Sequence, residues 1–160
     1  MANKKVVGNS TPRVEGEQKV TGHAIYAVDT TLPGMLWGKV LRSPIPYGRI
    51  KSIDVSRALR VPGVKTVVTG KDVEGLRIGR RVYDMPILAE DVVRFIGEKV
   101  VAVAAETEAA AEQAVGQIDV EYEELEPVLD PIKAMEPAAP ILHPDIMNTK
   151  GLPVKLDAPT

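Results

Sequence analysis

Few residues in this chain could carry out bond-making chemistry, and their spacing is poor for it. Cysteine is absent. That removes disulfides, a thiolate nucleophile, thiolate zinc sites and cysteine-ligated iron–sulfur clusters. The two histidines, His23 and His143, lie near opposite ends. Neither has a companion His, Asp or Glu at ligand spacing, so each reads as a surface or hydrogen-bonded residue rather than a base or a ligand. Glu121, Glu123, Glu124 and Glu126 offer paired carboxylates for acid–base work. Their alternation places them on the outward face of a strand or just past its end, which points to a solvated face. Gly70-Lys71-Asp72 has the look of the end of a phosphate loop. The upstream glycine, Gly63, is too far away, and Asp72 stands where Mg²⁺ would need Ser or Thr. No G-x-G-x-x-G or G-x-S-x-G occurs. No catalytic, cofactor-binding or metal-binding residue is therefore assigned, and an independent small enzyme is disfavoured.

The elements that would position any site are legible mainly in the second half. Val100 to Ala105 is a run of small apolar residues, as expected of a strand covered on both faces. Thr107 is placed to cap a helix carrying Ala110, Ala111, Ala114 and Val115 on one side and Glu108 and Glu112 on another. Gly116 is the expected C′ residue. Ile118 to Glu123 alternates, with Ile118, Val120 and Tyr122 on one face. Strand, helix and strand in this compass read as a right-handed βαβ unit. Gly97-Glu98, before the apolar run, is either a turn at a domain interface or a tight hairpin corner, with Gly supplying φ > 0.

Upstream, strands are expected at Ala24–Val28, Met35–Arg42, Arg49–Asp54 and Val64–Thr69. Leu32-Pro33-Gly34 reads as a turn and Ser43 to Gly48 as a stiff, Pro-bracketed loop. Ser56 to Arg60 reads as a turn or two of helix stopped by Pro62-Gly63. Gly70 to Asp84 reads as a polar, Arg-rich connection. A short helix is expected near Pro131 to Met135. The fold class is α+β: a mixed β-sheet with a βαβ unit and a few short helices. The expected organisation is an arm at 1–18, a domain at 19–136 and a proline-rich tail or linker at 137–160. Residues 150–160 contain no closing element and read as a severed linker.

Composition is ordinary for a soluble globular domain, with 44% hydrophobic and 26% charged residues. A net charge of -2 gives no reason to expect nucleic acid or an anionic membrane. No apolar run approaches the length of a membrane span. A cytoplasmic location is expected.

The order of these segments resembles a known family. Lys19-Val20-Thr21-Gly22-His23-Ala24-Ile25-Tyr26-Ala27-Val28-Asp29 resembles a K-V-T-G-x-A-x-Y-x-x-D pattern. Pro33-Gly34-Met35-Leu36-Trp37-Gly38 leads to Arg42-Ser43-Pro44, as in the family's next strand. Pro62-Gly63-Val64, Val67-Val68-Thr69-Gly70-Lys71-Asp72-Val73, Gly97-Glu98 with Val100, and Val120-Glu121-Tyr122-Glu123-Glu124-Leu125 follow in turn. Tyr47-Gly48 stands where relatives often carry His-Ala, and Lys99 where many carry Pro. The pattern is similar to the N-terminal α/β hammerhead domain of the molybdenum hydroxylase large subunit, the xanthine dehydrogenase and aldehyde oxidase family. The resemblance implies a structural, interface-forming domain of a molybdopterin-dependent oxidoreductase. Its partners would be molybdopterin-binding domains and an iron–sulfur domain or subunit, with flavin elsewhere and no cofactor held by this chain. A weak homodimer is expected when the domain is alone. The expected interface residues are Arg42, Ser43, Pro44, Tyr47, Gly97 and Glu98. The competing expectation is a free-standing interaction module, perhaps one piece of a split subunit.

Overall fold

The computed structural model describes residues 8, 10–80 and 83–143. The chain divides into two compact units, Met1–Met35 and Leu36–Thr160. In the first, α1 (Gly16–Val20) is a short helix with no buried residue. The strand expected at Ala24–Val28 does not form: Ala27–Asp29 is a 3-10 turn, with the Asp29 carboxylate accepting from Tyr26 N at 2.9 Å. Val28 is 88% exposed, and among the described residues no sheet partner rewards its β propensity. The turn at Pro33-Gly34 is as expected, with Gly34 at φ +76° and Met35 N donating to Leu32 O.

The second unit holds the sheets. Its strands in chain order are β1 (Trp37–Arg42), β2 (Gly48–Asp54), β3 (Val64–Thr69), β4 (Arg77–Ile78), β5 (Met85–Pro86), β6 (Val92–Val93) and β7 (Lys99–Ala105). Helix α2 (Glu108–Val115) and β8 (Asp119–Glu124) complete it. One sheet runs β1-β7-β3, a second β6-β2-β8, and β4 and β5 form a ribbon. Among the described residues every pairing is antiparallel.

The α+β class is as expected, and the topology differs in one respect. Strand, helix and strand follow in order, yet β8 does not return to the sheet of β7. Both edges of β7 are taken by β1 and β3, so β8 pairs with β2 in the other sheet. Among the described residues there is accordingly no parallel crossover within one mixed sheet. The Arg-rich connection also carries more structure than expected, namely β4, which pairs with β5 just beyond it. Arg77 of β4 grips both oxygens of Glu90, at 2.5 and 3.0 Å.

Burial follows the composition of each strand. Val100, Val101, Val103 and Ala105 of β7 are buried, and the three valines join Ala58, Val61, Val93, Ala114 and Ile118 in one core. The Thr107 hydroxyl caps α2 by accepting from Ala110 N at 3.1 Å. Gly116 is not a left-handed C′ residue, since its φ is -68°. On the exposed side of α2, Glu108 and Glu112 both hold Lys39 of β1, at 2.7 and 2.9 Å. Gly70 is fixed by crowding, because a Cβ there would run into the carbonyl oxygen of Ala89. Lys133–Met135 forms the short helix expected near that position, as a 3-10 turn. The expected proline-rich tail lies outside the described residues from 144 onward.

Candidate functional site

Two segments far apart in sequence meet at the end of β1. Register slips between Leu41 and Arg42, so Arg42 faces Lys99 at the start of β7. Ser43 N donates to Glu98 O, and Gly97 N donates to Ser43 O, both at 2.8 Å. Arg42 Nη1 donates to Gly97 O at 2.8 Å. The Ser43 hydroxyl donates to Ile45 O at 2.9 Å and starts the stiff loop. Gly97 has φ +88° with open space where a Cβ would go, so conformation rather than crowding selects glycine. The turn is not a hairpin corner, because β6 and β7 lie in different sheets. It is the link between them.

Glu98 is the unusual member. It is 6% exposed, and its carboxylate accepts from Arg94 N at 2.5 Å. Burial pushes its pKa above the ordinary glutamate range, against the pull of the Arg94 amide and charge. Arg94 Nη1 lies 3.7 Å from the carboxylate, and Arg94 also donates to Val92 O and Leu142 O.

Beside this junction lies a hollow of about 290 Å³, bounded by Arg42, Met85, Phe95, Glu98, Lys99 and His143 among others. A second hollow of about 250 Å³ shares Arg94 and Phe95 with the first and adds Tyr47, Ile96, Leu129 and Leu142. Phe95 and Ile96 are 50% and 67% exposed, and Leu129 81%.

Of the residues singled out from sequence, Arg42, Ser43, Gly97 and Glu98 therefore come together. Tyr47 lines the neighbouring hollow, and Pro44 is exposed and lines neither. Arg94, Phe95, Ile96 and Leu129 were missed. Two large apolar residues directly before Gly97 were the available signal, since a solvated turn has no use for them. His143 is less exposed than expected: it lies at the first hollow, where burial and then the Arg94 charge push its pKa down, opposed by Asp84. His23 is exposed, with Nδ1 3.0 Å from Thr21 Oγ1. Asp72 accepts from Thr69 N and Thr69 Oγ1, at 2.7 and 2.8 Å; it closes a turn, and these bonds lower its pKa. Glu121, Glu123, Glu124 and Glu126 are exposed. Among the described residues no three His, Asp or Glu side chains are grouped to hold a metal ion. The arrangement is suited to docking.

Residues 21–126 match the family described as "Aldehyde oxidase and xanthine dehydrogenase, a/b hammerhead domain". The chain belongs to this family. The hammerhead domain is 50% identical, over 85% of this chain and 18% of the relative, to a probable xanthine dehydrogenase subunit of Bacillus subtilis (strain 168). It is 39% identical to the nicotine 6-hydroxylase large subunit of Paenarthrobacter nicotinovorans, covering 92% of this chain and 20% of that one. Among solved structures, it superposes on the Cu,Mo-CO dehydrogenase in its carbon monoxide reduced state with a TM-score of 0.81 and 39% identity. That match covers 87% of this chain and 18% of the other. The chain thus spans about a fifth of the length of these curated relatives. Among the described residues no helix is long and apolar enough to cross a membrane.

Proposed function

We propose that this hammerhead domain serves as a structural docking module of a molybdopterin-dependent oxidoreductase large subunit, without catalysis of its own. In this reading residues 19–136 form the module, with the arm at 1–18 and the proline-rich segment at 137–160 as connections. Molybdopterin, iron–sulfur clusters and flavin are held by other domains or subunits, and the assembled enzyme is cytoplasmic. It oxidises an aldehyde or hydroxylates a heteroaromatic ring, with water supplying the oxygen; the nicotine 6-hydroxylase relative supports that class. Nucleic acid and membrane are not partners, and the domain alone self-associates weakly through the same face.

The observation that carries this reading is the exposed apolar strip Phe95-Ile96, with Leu129 beside it, against a turn already locked by Ser43 and Arg42. Exposed contiguous apolar surface marks interaction sites, and a pre-ordered turn lowers the entropic cost of binding. The test is calorimetric titration of the chain with the separately expressed molybdopterin-binding portion of the large subunit. Association is expected, and Arg42→Glu should weaken it by at least about 1 kcal/mol. No association at high micromolar concentration would favour the free-standing interaction module.

A further inference from the structure

We propose that the paired hollows around Phe95 form a groove for an extended polypeptide segment carrying a carboxylate next to a large apolar side chain. This deepens the docking role proposed above and rests on it. The two hollows, about 290 and 250 Å³, lie side by side and share Arg94 and Phe95. Each is at or below the small end of small-molecule sites, roughly 300–1,000 Å³, which suits one or two side chains apiece. The walls facing the space are apolar: Met85, Phe95, Ile96 and Leu129 are all more than two-fifths exposed and would be covered by such a segment.

Charge selects the segment. Three cations, Arg42, Arg94 and Lys99, and two carboxylates, Asp84 and Glu98, line the first hollow. Glu98 is buried and satisfied from within by the Arg94 amide and guanidinium, so it presents little charge outward. Arg42 spends one N–H on Gly97 O, and neither Arg42 nor Lys99 has a carboxylate partner among the described residues. Even with Asp84 set against them, Arg42 and Lys99 leave the first hollow net cationic on a chain whose net charge is -2. A carboxylate there gains charge-assisted hydrogen bonds, whereas a basic segment would face like charge. The turn that supplies Gly97 and Glu98 is already bridged to Ser43, so little ordering remains to be done on binding.

The experiment uses the full chain and two short fluorescent peptides. One alternates Asp and Leu around a single Phe, and the other has Lys in place of every Asp. The acidic peptide should bind at least about tenfold more tightly, and the gap should narrow with salt. Amide NMR shifts on titration should concentrate between Phe95 and Lys99. Lys99→Glu, which leaves the Arg42–Gly97 bond intact, should shrink the preference, and Arg42→Glu with Lys99→Glu should reverse it. Equal binding of the two peptides, an acidic preference that survives both changes, or shifts confined to other surfaces would overturn the proposal. If the peptides fail while the molybdopterin-binding portion still associates, the groove chemistry falls and the docking role stands. If neither associates, both fall.

Discussion

Replacing Tyr122 by Phe should make this protein more stable. Tyr122 lies in β8 opposite Ile50 of β2, with its ring packed against the core. Its hydroxyl oxygen is buried and has no hydrogen-bond partner among the described residues. A buried polar group without a partner costs about 1–3 kcal/mol. Phe keeps the ring and opens no cavity, so the change removes that cost and little else. Tyr122 is only partly buried as a residue, which sets the expectation at the low end, a gain of about 1 kcal/mol. With a urea m-value of about 2 kcal/mol/M, the midpoint should rise by about 0.5 M at unchanged m. A second readout is alkaline. Burial raises the Tyr122 pKa above its ordinary value of 10.0. The folded state then holds the phenolic proton more tightly than the unfolded state. The associated stability is fully present below the unfolded pKa and is lost as pH rises through the folded one. Wild type should lose stability on that limb, and Tyr122→Phe should lose less. Tyr83→Phe, at a 45% exposed position, serves as the control and should change stability by less than about 0.5 kcal/mol. A midpoint lowered by Tyr122→Phe would mean that the hydroxyl makes a stabilising bond, and the reasoning would fail.

Val103→Asp should abolish folding, because Val103 is 2% exposed in the central strand and an unpaired buried carboxylate costs several kcal/mol, on the order of a whole domain's stability. Glu121→Gln on the outward face of β8 should cost about 0.5 kcal/mol or less, and comparable denaturation midpoints for these two variants would sink the strand assignments. Gly70→Ala should destabilise by about 3 kcal/mol, since its Cβ meets the Ala89 carbonyl rather than a side chain that could swing away; a near-neutral melt would mean that this close approach does not exist. Glu98→Gln probes the buried carboxyl. A folded pKa above 4.5 contributes stability that is present below the unfolded value and lost as pH rises through the folded one. Gln still accepts from the Arg94 amide without that loss, so its advantage over wild type should be greater near about pH 7 than near about pH 4. An equal effect at both would contradict the raised pKa.

Local signals are readable wherever the local sequence decides the outcome. Val64–Thr69 is β-branched and forms a strand with those bounds. Thr107 caps α2 through its own hydroxyl, and the alternation of β8 survives as inward Val120 and Tyr122 against outward Asp119, Glu121 and Glu123. What depends on distant partners is not readable. The residues at Ala24–Val28 have strand-like types but, among the described residues, no strand to pair with. The two-residue strands β4, β5 and β6 have too few positions to show a period. The sheet to which β8 belongs is decided by β1 and β3 having filled both edges of β7. The candidate site divides in the same way. Sequence picks out both halves of the junction through their Pro and Gly, but the bond from Arg42 to the Gly97 carbonyl spans 55 residues. Pro44 is drawn in only by its place in the loop, and Phe95 with Ile96 have the residue types of a strand although they lie in the turn that leads to Gly97.

The central place of β7 also sets a timetable for synthesis. Among the described residues β1 and β3 have no strand partner other than β7. A ribosome delivers them first, with 55 residues separating Arg42 from the Gly97 that precedes β7. At roughly 5–20 residues per second, β1 waits about 3–11 s for its partner. During that interval its edges, with Trp37 at one end, are open to other nascent chains. A chain halted before β7 emerges has two strands of the first sheet and nothing to join them. This sheet is therefore assembled in one late step, and its yield in a cell should depend on what shields Trp37 to Arg42 until then.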